Sequence, residues 1–181
     1  MAEIRRTRLR TKHDLLADTR EAATTLARYV DLLPDEVWLE PADPAGWTIR
    51  DHVAHVAWWD LADVARMRDG TPQRDTLGVP EATWTRGIDA INEVIRAKTL
   101  TAPPDEVRAL WRQSQDAVFT LLEAYPEKQY QAPAREVGFE DEGETRLIDV
   151  LADFLGAHYR EHLGYITAIA AQRLVDLDAV P

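Results

Sequence analysis

The stretch LADFLGAHYREHLGYITAIA, residues 151–170, has the spacing of a helix with one buried face. Apolar residues and two histidines recur at intervals of three and four, so they share one side of an α-helix. Together with Ile148, three residues before the stretch, this stripe consists of Leu151, Leu155, His158, His162, Ile166 and Ile169. The pattern predicts a long helix from about Thr145 to Leu174, with both histidines facing the interior of a helical bundle.

Helical periodicity dominates the rest of the chain as well, and no convincing alternation with a period of two is present. Three further long helices are predicted, from Thr11 to Leu33, from Thr48 to near Gly70, and from Pro104 or Asp105 to Pro126. The second of these begins with Thr48 and Asp51, which fit a capping box. The sequence therefore predicts an all-α protein, a single four-helix-bundle domain spanning residues 1–181.

The connections between these helices differ in length and composition. Residues 71–104 are too many to lack structure in a compact domain, so we predict an extra short helix within PEATWTRGIDAINEVIRAK, residues 80–98. EPADPAGW, residues 40–47, and APAREVGFEDEGE, residues 132–144, are predicted to be loops, the second polar and exposed.

Composition excludes several classes of function. The chain of 181 residues has no cysteine, which excludes disulfides and thiolate metal sites, so a metal would need His, Asp, Glu or water ligands. The net charge of -11 disfavours nucleic-acid binding, and the basic run IRRTRLRTK, residues 4–12, is interpreted as a solvated helix start. No apolar run approaches the roughly 20 residues of a membrane span, and no signal peptide is recognisable. We expect a cytoplasmic protein.

The two histidines of the last helix need partners if they are buried. An unpaired buried polar group costs about 1–3 kcal/mol, and a metal ion shared from positions i and i+4 would satisfy both rings at once. Separate hydrogen bonds from each ring explain the pair equally well. HYREH also matches the H-x-x-E-H pattern of inverted zinc peptidases. We reject that interpretation because Glu161 lies on the flank of the helix, away from His158 and His162.

A third imidazole is available on the second helix. WTIRDHVAHVAWWD, residues 47–60, carries His52 and His55 near its inward side. Either would complete a three-histidine set whose remaining coordination positions are open to water or substrate, as in catalytic metal sites. Spacing alone does not choose between them. His13, beside charged residues on the first helix, is interpreted as a surface residue.

Three pieces of sequence carry a resemblance to a known family. They are Trp47-Thr48-Ile49 followed after five residues by His55, the pattern His158-x-x-x-His162-x-Gly164, and the middle segments Trp84–Asn92 and PDEVRALWRQSQDAVFTLLEAYPEKQY, residues 104–130. In these features the chain resembles the DinB/YfiT-like superfamily of four-helix-bundle metalloproteins, and within it the ClbS/DfsB branch. It departs from the commoner His-Arg-Gly-Gln ending of the last-helix motif.

The resemblance implies an up-down-down-up bundle and a divalent metal, most often zinc or nickel, bound by His55, His158 and His162. It also implies the chemistry of the superfamily, whose members include hydrolases and transferases or isomerases that use a low-molecular-weight thiol. The hydrolases among them detoxify reactive small molecules, and many members have no known activity. Some relatives in the ClbS/DfsB branch lack the histidines.

Other residues are candidates for contact with a small-molecule substrate. Trp59 and Trp84 could form an aromatic wall, although core filling is the alternative for any of the six tryptophans. Asn92 could orient a substrate or act as a simple buried hydrogen-bonding group, and Tyr159 could donate a hydrogen bond. A homodimer is the only protein assembly that we anticipate.

Two hypotheses follow. In the first, the chain is a metal-dependent hydrolase or thiol transferase that acts in detoxification. In the second, it is a bundle that binds or sequesters a small molecule without turnover. The distance between the three histidine side chains separates them, because only nitrogens that approach one point can share an ion.

Overall fold

The computed structural model describes residues 11–40, 42–139 and 142–178, with side chains as far as Arg173. Within these residues the fold is helical and has no β-strand, which confirms the prediction of an all-α bundle. The α-helices are α1 Lys12–Asp31, α2 Asp35–Leu39, α3 Ile49–Asp69, α4 Gln73–Leu77, α5 Glu81–Trp84, α6 Ile88–Thr99, α7 Pro104–Ala124, α8 Leu147–Ala152 and α9 His158–Asp178.

The bundle is formed by α1, α3, α7 and a continuous rod made of α8, one π-helical turn (Asp153–Ala157) and α9. α3 packs against α7 and α9, and α1 packs against α7 and the rod. The buried faces contain the predicted stripes, including Leu15, Leu26 and Val30 on α1 and Leu155, Ile166 and Ile169 on the rod.

Side-chain contacts give the directions of the four helices. Nζ of Lys12, at the start of α1, donates to the carbonyl of Glu123 at the end of α7, so these two helices are antiparallel. His52 contacts His162 and His55 contacts His158, so α3 runs against α9. Gly156 lies beside Asp18, and Arg160 binds both Asp18 and Glu21, so α1 and the rod run the same way. The order is the expected up-down-down-up.

Local signals in the sequence account for the helix ends. Thr11 caps α1 and Thr48 caps α3, each in a capping box with the aspartate three residues later, and the box at Thr48 was predicted. Gly70 ends α3 in the left-handed conformation that glycine adopts without strain. Pro104 occupies the first turn of α7, where its missing N–H is not needed.

The middle connection is more helical than predicted. One short helix was expected between residues 80 and 98, and the structure has α5 and α6 there, with α4 before them at Gln73–Leu77. Ile91 and Ile95 of α6 join Leu77 and Val79 in a second small core against Ala62 of α3. These short helices cover one side of α3 and so complete a cavity beside it.

Two expectations about loops were wrong. Residues 132–144 were predicted to be exposed, yet Ala134 and Phe139 are almost fully buried, because the segment folds back through a 3₁₀-helix onto the bundle. The loop at 40–47 was predicted to follow directly on the first helix, but α2 comes before it and buries Trp38. The basic residues at positions 4–10 lie outside the described residues.

Among the helices of the described residues, none combines the length and hydropathy that a membrane span requires.

Candidate metal centre and adjoining cavity

Three imidazoles converge where α3 crosses the beginning of α9. One ring nitrogen from each of His55, His158 and His162 can be chosen so that all three lie within 4.8 Å of one another. Nε2 of His55 is 3.2 Å from Nε2 of His158. Around a tetrahedral ion with bonds of about 2.1 Å, ligand nitrogens are roughly 3.4 Å apart. The spacing of the two Nε2 atoms is therefore that of two ligands of one ion.

In two of these rings, a hydrogen bond to one nitrogen leaves the other nitrogen available to a metal ion. The imidazole of His158 donates to the backbone carbonyl of Phe154 one turn earlier, which leaves Nε2 as the nitrogen facing His55. Nδ1 of His162 is engaged by Nδ1 of His52 at 3.0 Å, which leaves its Nε2 for the cluster. Metal-binding histidines in proteins usually have such a partner on the second ring nitrogen.

Burial keeps all three rings neutral. Desolvation lowers the pKa of His55 and His162 well below 6.5, and the neighbouring imidazoles lower the pKa of both further. Burial also lowers the pKa of His158, against a smaller opposing effect of Glu161. Neutral imidazole is the form that binds a metal, because its second nitrogen keeps a free lone pair.

His52 lies in the same cluster. The sequence did not choose between His52 and His55, and the structure brings both to the beginning of α9. His52 lies farther from the three-histidine centre and contacts His162, while its Nε2 lies 3.3 Å from Oδ2 of Asp43. Its ring also stacks on Tyr165 at 5.3 Å between centroids. We therefore assign His52 a position behind the candidate ligands.

A cavity of about 950 Å³ adjoins the histidines and is lined by α3, the short helices of the middle connection, and the π-turn with the start of α9. Trp59, Trp84 and Asn92, all predicted as substrate contacts, line it together with Trp47 and Tyr165. Nε1 of Trp59 donates a hydrogen bond of 3.3 Å to Oδ1 of Asn92, so Trp59 engages the amide oxygen of Asn92 and not its amide nitrogen. Contact of these residues with a substrate stays a prediction.

Tyr159 does not line this cavity, contrary to the prediction that it contacts substrate. Its side chain is fully buried on a different face of α9, and its hydroxyl donates to Oδ1 of Asp60 at 2.9 Å. The helical period explains the error, because a residue next to His158 points about 100° away from it. Trp38 and Trp111 are also core residues, which agrees with core filling, the alternative given for the tryptophans.

Asp63 is a cavity residue that the sequence interpretation missed. It lies one turn beyond Trp59 on the same face of α3, and Oδ1 accepts a hydrogen bond of 2.6 Å from Nε2 of Gln73. Burial raises the pKa of Asp63 to about 7, although Gln73 and Arg66 oppose that rise. The spacing His55, Trp59, Asp63 is a periodic signal that could have identified it.

The donor set suits a divalent transition metal. The three candidate ligands are buried or half-buried, neutral and nitrogen-only, which matches the preference of zinc and nickel for imidazole. Nδ1 of His55 has no hydrogen-bond partner among the described residues, although it is buried. His55 therefore lacks the partner on its second nitrogen that His158 and His162 have.

Comparisons with known proteins agree with this fold. The sequence model of the DinB superfamily matches residues 18–166. A solved structure from Streptococcus pneumoniae has a TM-score of 0.69 and 14% identity, over 89% of this chain and 91% of that one. A mutant of the mycothiol-dependent maleylpyruvate isomerase has a TM-score of 0.59 and 21% identity, over 88% of this chain and 62% of the isomerase. At these identities the likeness to both structures is one of fold. A search of curated proteins found no significant match.

Proposed function

Because the chain belongs to the DinB superfamily, we propose that it is a divalent-metal-dependent enzyme that acts on a reactive small molecule. The observation that carries the proposal is the convergence of His55, His158 and His162 within 4.8 Å at the edge of a cavity. When bound, zinc or nickel would supply a Lewis acid that lowers the pKa of a water or thiol ligand.

The chain's own residues would hold and orient the reactants. His55, His158 and His162 present neutral nitrogens to one point, and the cavity leaves the open side of that point accessible. Trp59 and Trp84 offer flat apolar surfaces to a substrate, and Asn92 offers an amide beside them. Asp63 can hold or release a proton near neutral pH at a second place in the cavity.

Two reactions remain in the proposal, hydrolysis and thiol transfer. The isomerase with the same fold is mycothiol-dependent by its name, which supports a thiol-dependent reaction here. Since this chain has no cysteine, the thiol would be a separate low-molecular-weight molecule. A substrate of either reaction would bind in the same aromatic cavity.

The alternative is a bundle that binds a small molecule without turnover. It is supported by the aromatic lining of the cavity, but it requires no convergence of the histidines. The short distances among the three imidazoles favour the metal-dependent enzyme.

Metal analysis of the purified, tag-free protein tests the proposal. After loading with zinc or nickel and removal of excess metal, we expect one equivalent per chain in the wild type and a loss of most of it in His162→Ala. His13→Ala removes an exposed imidazole from α1 and should keep the full equivalent. Equal metal content in the wild type and His162→Ala would refute the metal site. The bundle that binds a small molecule without turnover would then be the remaining proposal.

A further inference from the structure

His52 connects the candidate metal centre to a loop at the start of α3. Its Nδ1 lies 3.0 Å from Nδ1 of His162, and its Nε2 lies 3.3 Å from Oδ2 of Asp43. The contact with Asp43 has the distance of an ion pair, although it is not in line for a full hydrogen bond. The side chain of His52 is only 4% exposed, so solvent cannot replace these two partners.

The loop holds Asp43 firmly. Its Oδ1 accepts from the backbone N–H groups of Ala45 and Trp47 at 2.9 and 2.8 Å, and its own N–H donates to the carbonyl of Trp47. Arg96 of α6 donates to the carbonyl of Gly46 at 2.7 Å. With Oδ1 engaged by the turn, Oδ2 is the oxygen that faces His52.

The charge of Asp43 sets the direction of the hydrogen bond between the two histidines. A carboxylate beside Nε2 of His52 favours the tautomer that carries its proton there, so Nδ1 of His52 is a hydrogen-bond acceptor. Nδ1 of His162 must then be the donor. The lone pair of His162 is consequently on Nε2, the nitrogen that remains for the three-histidine centre.

We infer that His52 is a positioning residue that, oriented by Asp43, holds His162 in the tautomer and ring orientation needed for metal binding. The role in metal binding rests on the proposed function. The tautomer and the ring orientation of His162 do not depend on a bound metal. This role of His52 also explains why four histidines meet when three suffice as ligands. The backbone carbonyl of Phe154, in the same rod, orients His158 in the same way by accepting a hydrogen bond from its ring.

The first test reads the tautomer of His162 directly in metal-free protein. Two-bond ¹H–¹⁵N correlation spectra distinguish a proton on Nδ1 from one on Nε2. We expect His162 to carry its proton on Nδ1 in the wild type and to become a mixture of tautomers in His52→Phe. Phenylalanine keeps a flat ring against Trp47 and Tyr165 but removes both nitrogens. A wild-type His162 protonated on Nε2 would overturn the inference.

The second test measures metal affinity by competition with a chromophoric chelator, using Co²⁺ so that the visible spectrum also reports the coordination geometry. Loss of the partner behind a ligand histidine typically costs about 10–100-fold in affinity, and we expect that loss in His52→Phe. His52→Asn places an amide oxygen near the position of Nδ1 and should recover most of it. Asp43→Asn should cause a smaller loss. Circular dichroism establishes that each variant is folded.

The outcomes separate this inference from the proposed function. A wild type that binds no Co²⁺ or zinc contradicts the enzyme proposal, while the tautomer measurement still decides the role of His52. A wild type that binds metal, with His52→Phe within twofold of it, contradicts the role of His52 and leaves the three-histidine site intact. A loss in His52→Phe that His52→Asn does not recover would contradict the role of Nδ1 of His52 as the acceptor for His162.

Discussion

Asp63 is a carboxyl group whose protonation is governed by burial. Its side chain is almost inaccessible, it receives one hydrogen bond from Gln73, and its pKa rises from the ordinary 3.8 to about 7. Because the folded chain binds this proton more tightly than the unfolded chain, the contribution of Asp63 to stability is greatest at low pH. It declines as the pH rises from about 4 to about 7 and is fully lost above that range.

Asp63→Asn should therefore flatten the pH dependence of stability. Relative to the wild type, we expect the variant to gain free energy of unfolding between pH 4 and pH 8, up to roughly 4 kcal/mol. Urea denaturation at a series of pH values measures the difference, in which the similar contribution of Asp60 largely cancels. Asp69→Asn removes an exposed carboxylate from the same helix and is the control. Parallel curves for the wild type and Asp63→Asn would contradict the raised pKa.

At the scale of the element, α3 determines where the histidines stand. Its first turn is held by the capping box of Thr48 and Asp51, directly before His52 and one turn before His55. α1 begins with the same device, Thr11 and Asp14, far along the chain from any candidate ligand. The two boxes have similar chemistry and different neighbours, so they form a matched pair.

Thr48→Ala and Thr11→Ala should cost similar stability and differ in their effect on the site. Loss of an N-cap hydroxyl typically costs about 1 kcal/mol, and we expect that cost from both variants in urea denaturation. Only Thr48→Ala should weaken Co²⁺ binding, because fraying of the first turn of α3 displaces His52. An equal loss of Co²⁺ affinity in both variants would show that global stability, and not the local turn, controls the site.

The rod that carries His158 and His162 contains two glycines with opposite surroundings. A Cβ on Gly156, in the π-turn, would overlap Oδ2 of Asp18, which Arg160 holds in place. A Cβ on Gly164 would meet nothing within 4 Å. Gly156 therefore leaves room for the Asp18 carboxylate, whereas Gly164 has no packing role in the described structure.

Gly156→Ala should destabilise the protein and Gly164→Ala should not. We expect a loss of about 1–3 kcal/mol for the first, from overpacking against Asp18, and a gain of up to about 1 kcal/mol for the second, from helix propensity. Thermal and urea denaturation measure both. Asp18→Ala combined with Gly156→Ala should recover part of the loss; no recovery would mean that the clash with Asp18 is not its cause.

At the scale of the whole molecule, a buried polar cluster joins three of the four main helices. Asp60 of α3 accepts hydrogen bonds from Ser114 and Gln115 of α7 and from Tyr159 of α9. Burial raises the pKa of Asp60 well above its usual range, and the three donors oppose that rise. Such a cluster specifies one relative placement of the helices, because any other leaves a buried carboxyl without partners.

Tyr159→Phe removes one donor from this cluster without changing the cavity lining. We expect a loss of about 1–3 kcal/mol in the free energy of unfolding and an unchanged metal content. Tyr165→Phe, which removes an exposed hydroxyl bonded to Glu161, should stay within about 0.5 kcal/mol of the wild type. A stable Tyr159→Phe variant with impaired ligand binding would restore the original prediction that Tyr159 contacts substrate.

The sequence by itself determined the four main helices, their buried faces and the inward phase of His55, His158 and His162. Helical period, capping residues and chain-breaking prolines and glycines are local, so they can be read from neighbouring residues. The same local signals failed for Phe139, which is buried from an irregular segment where no period exists to reveal it.

Only the tertiary structure decided which polar groups meet. It placed His52 behind His162 and not among the three candidate ligands, turned Tyr159 toward Asp60, and put Asp63 into the cavity wall. Each of these outcomes depends on contacts between helices many residues apart or on how short helices cover α3. The role of a buried polar group depends on such partners. A local sequence pattern predicts the face of the helix on which the group lies, but it does not predict which groups of other helices it contacts.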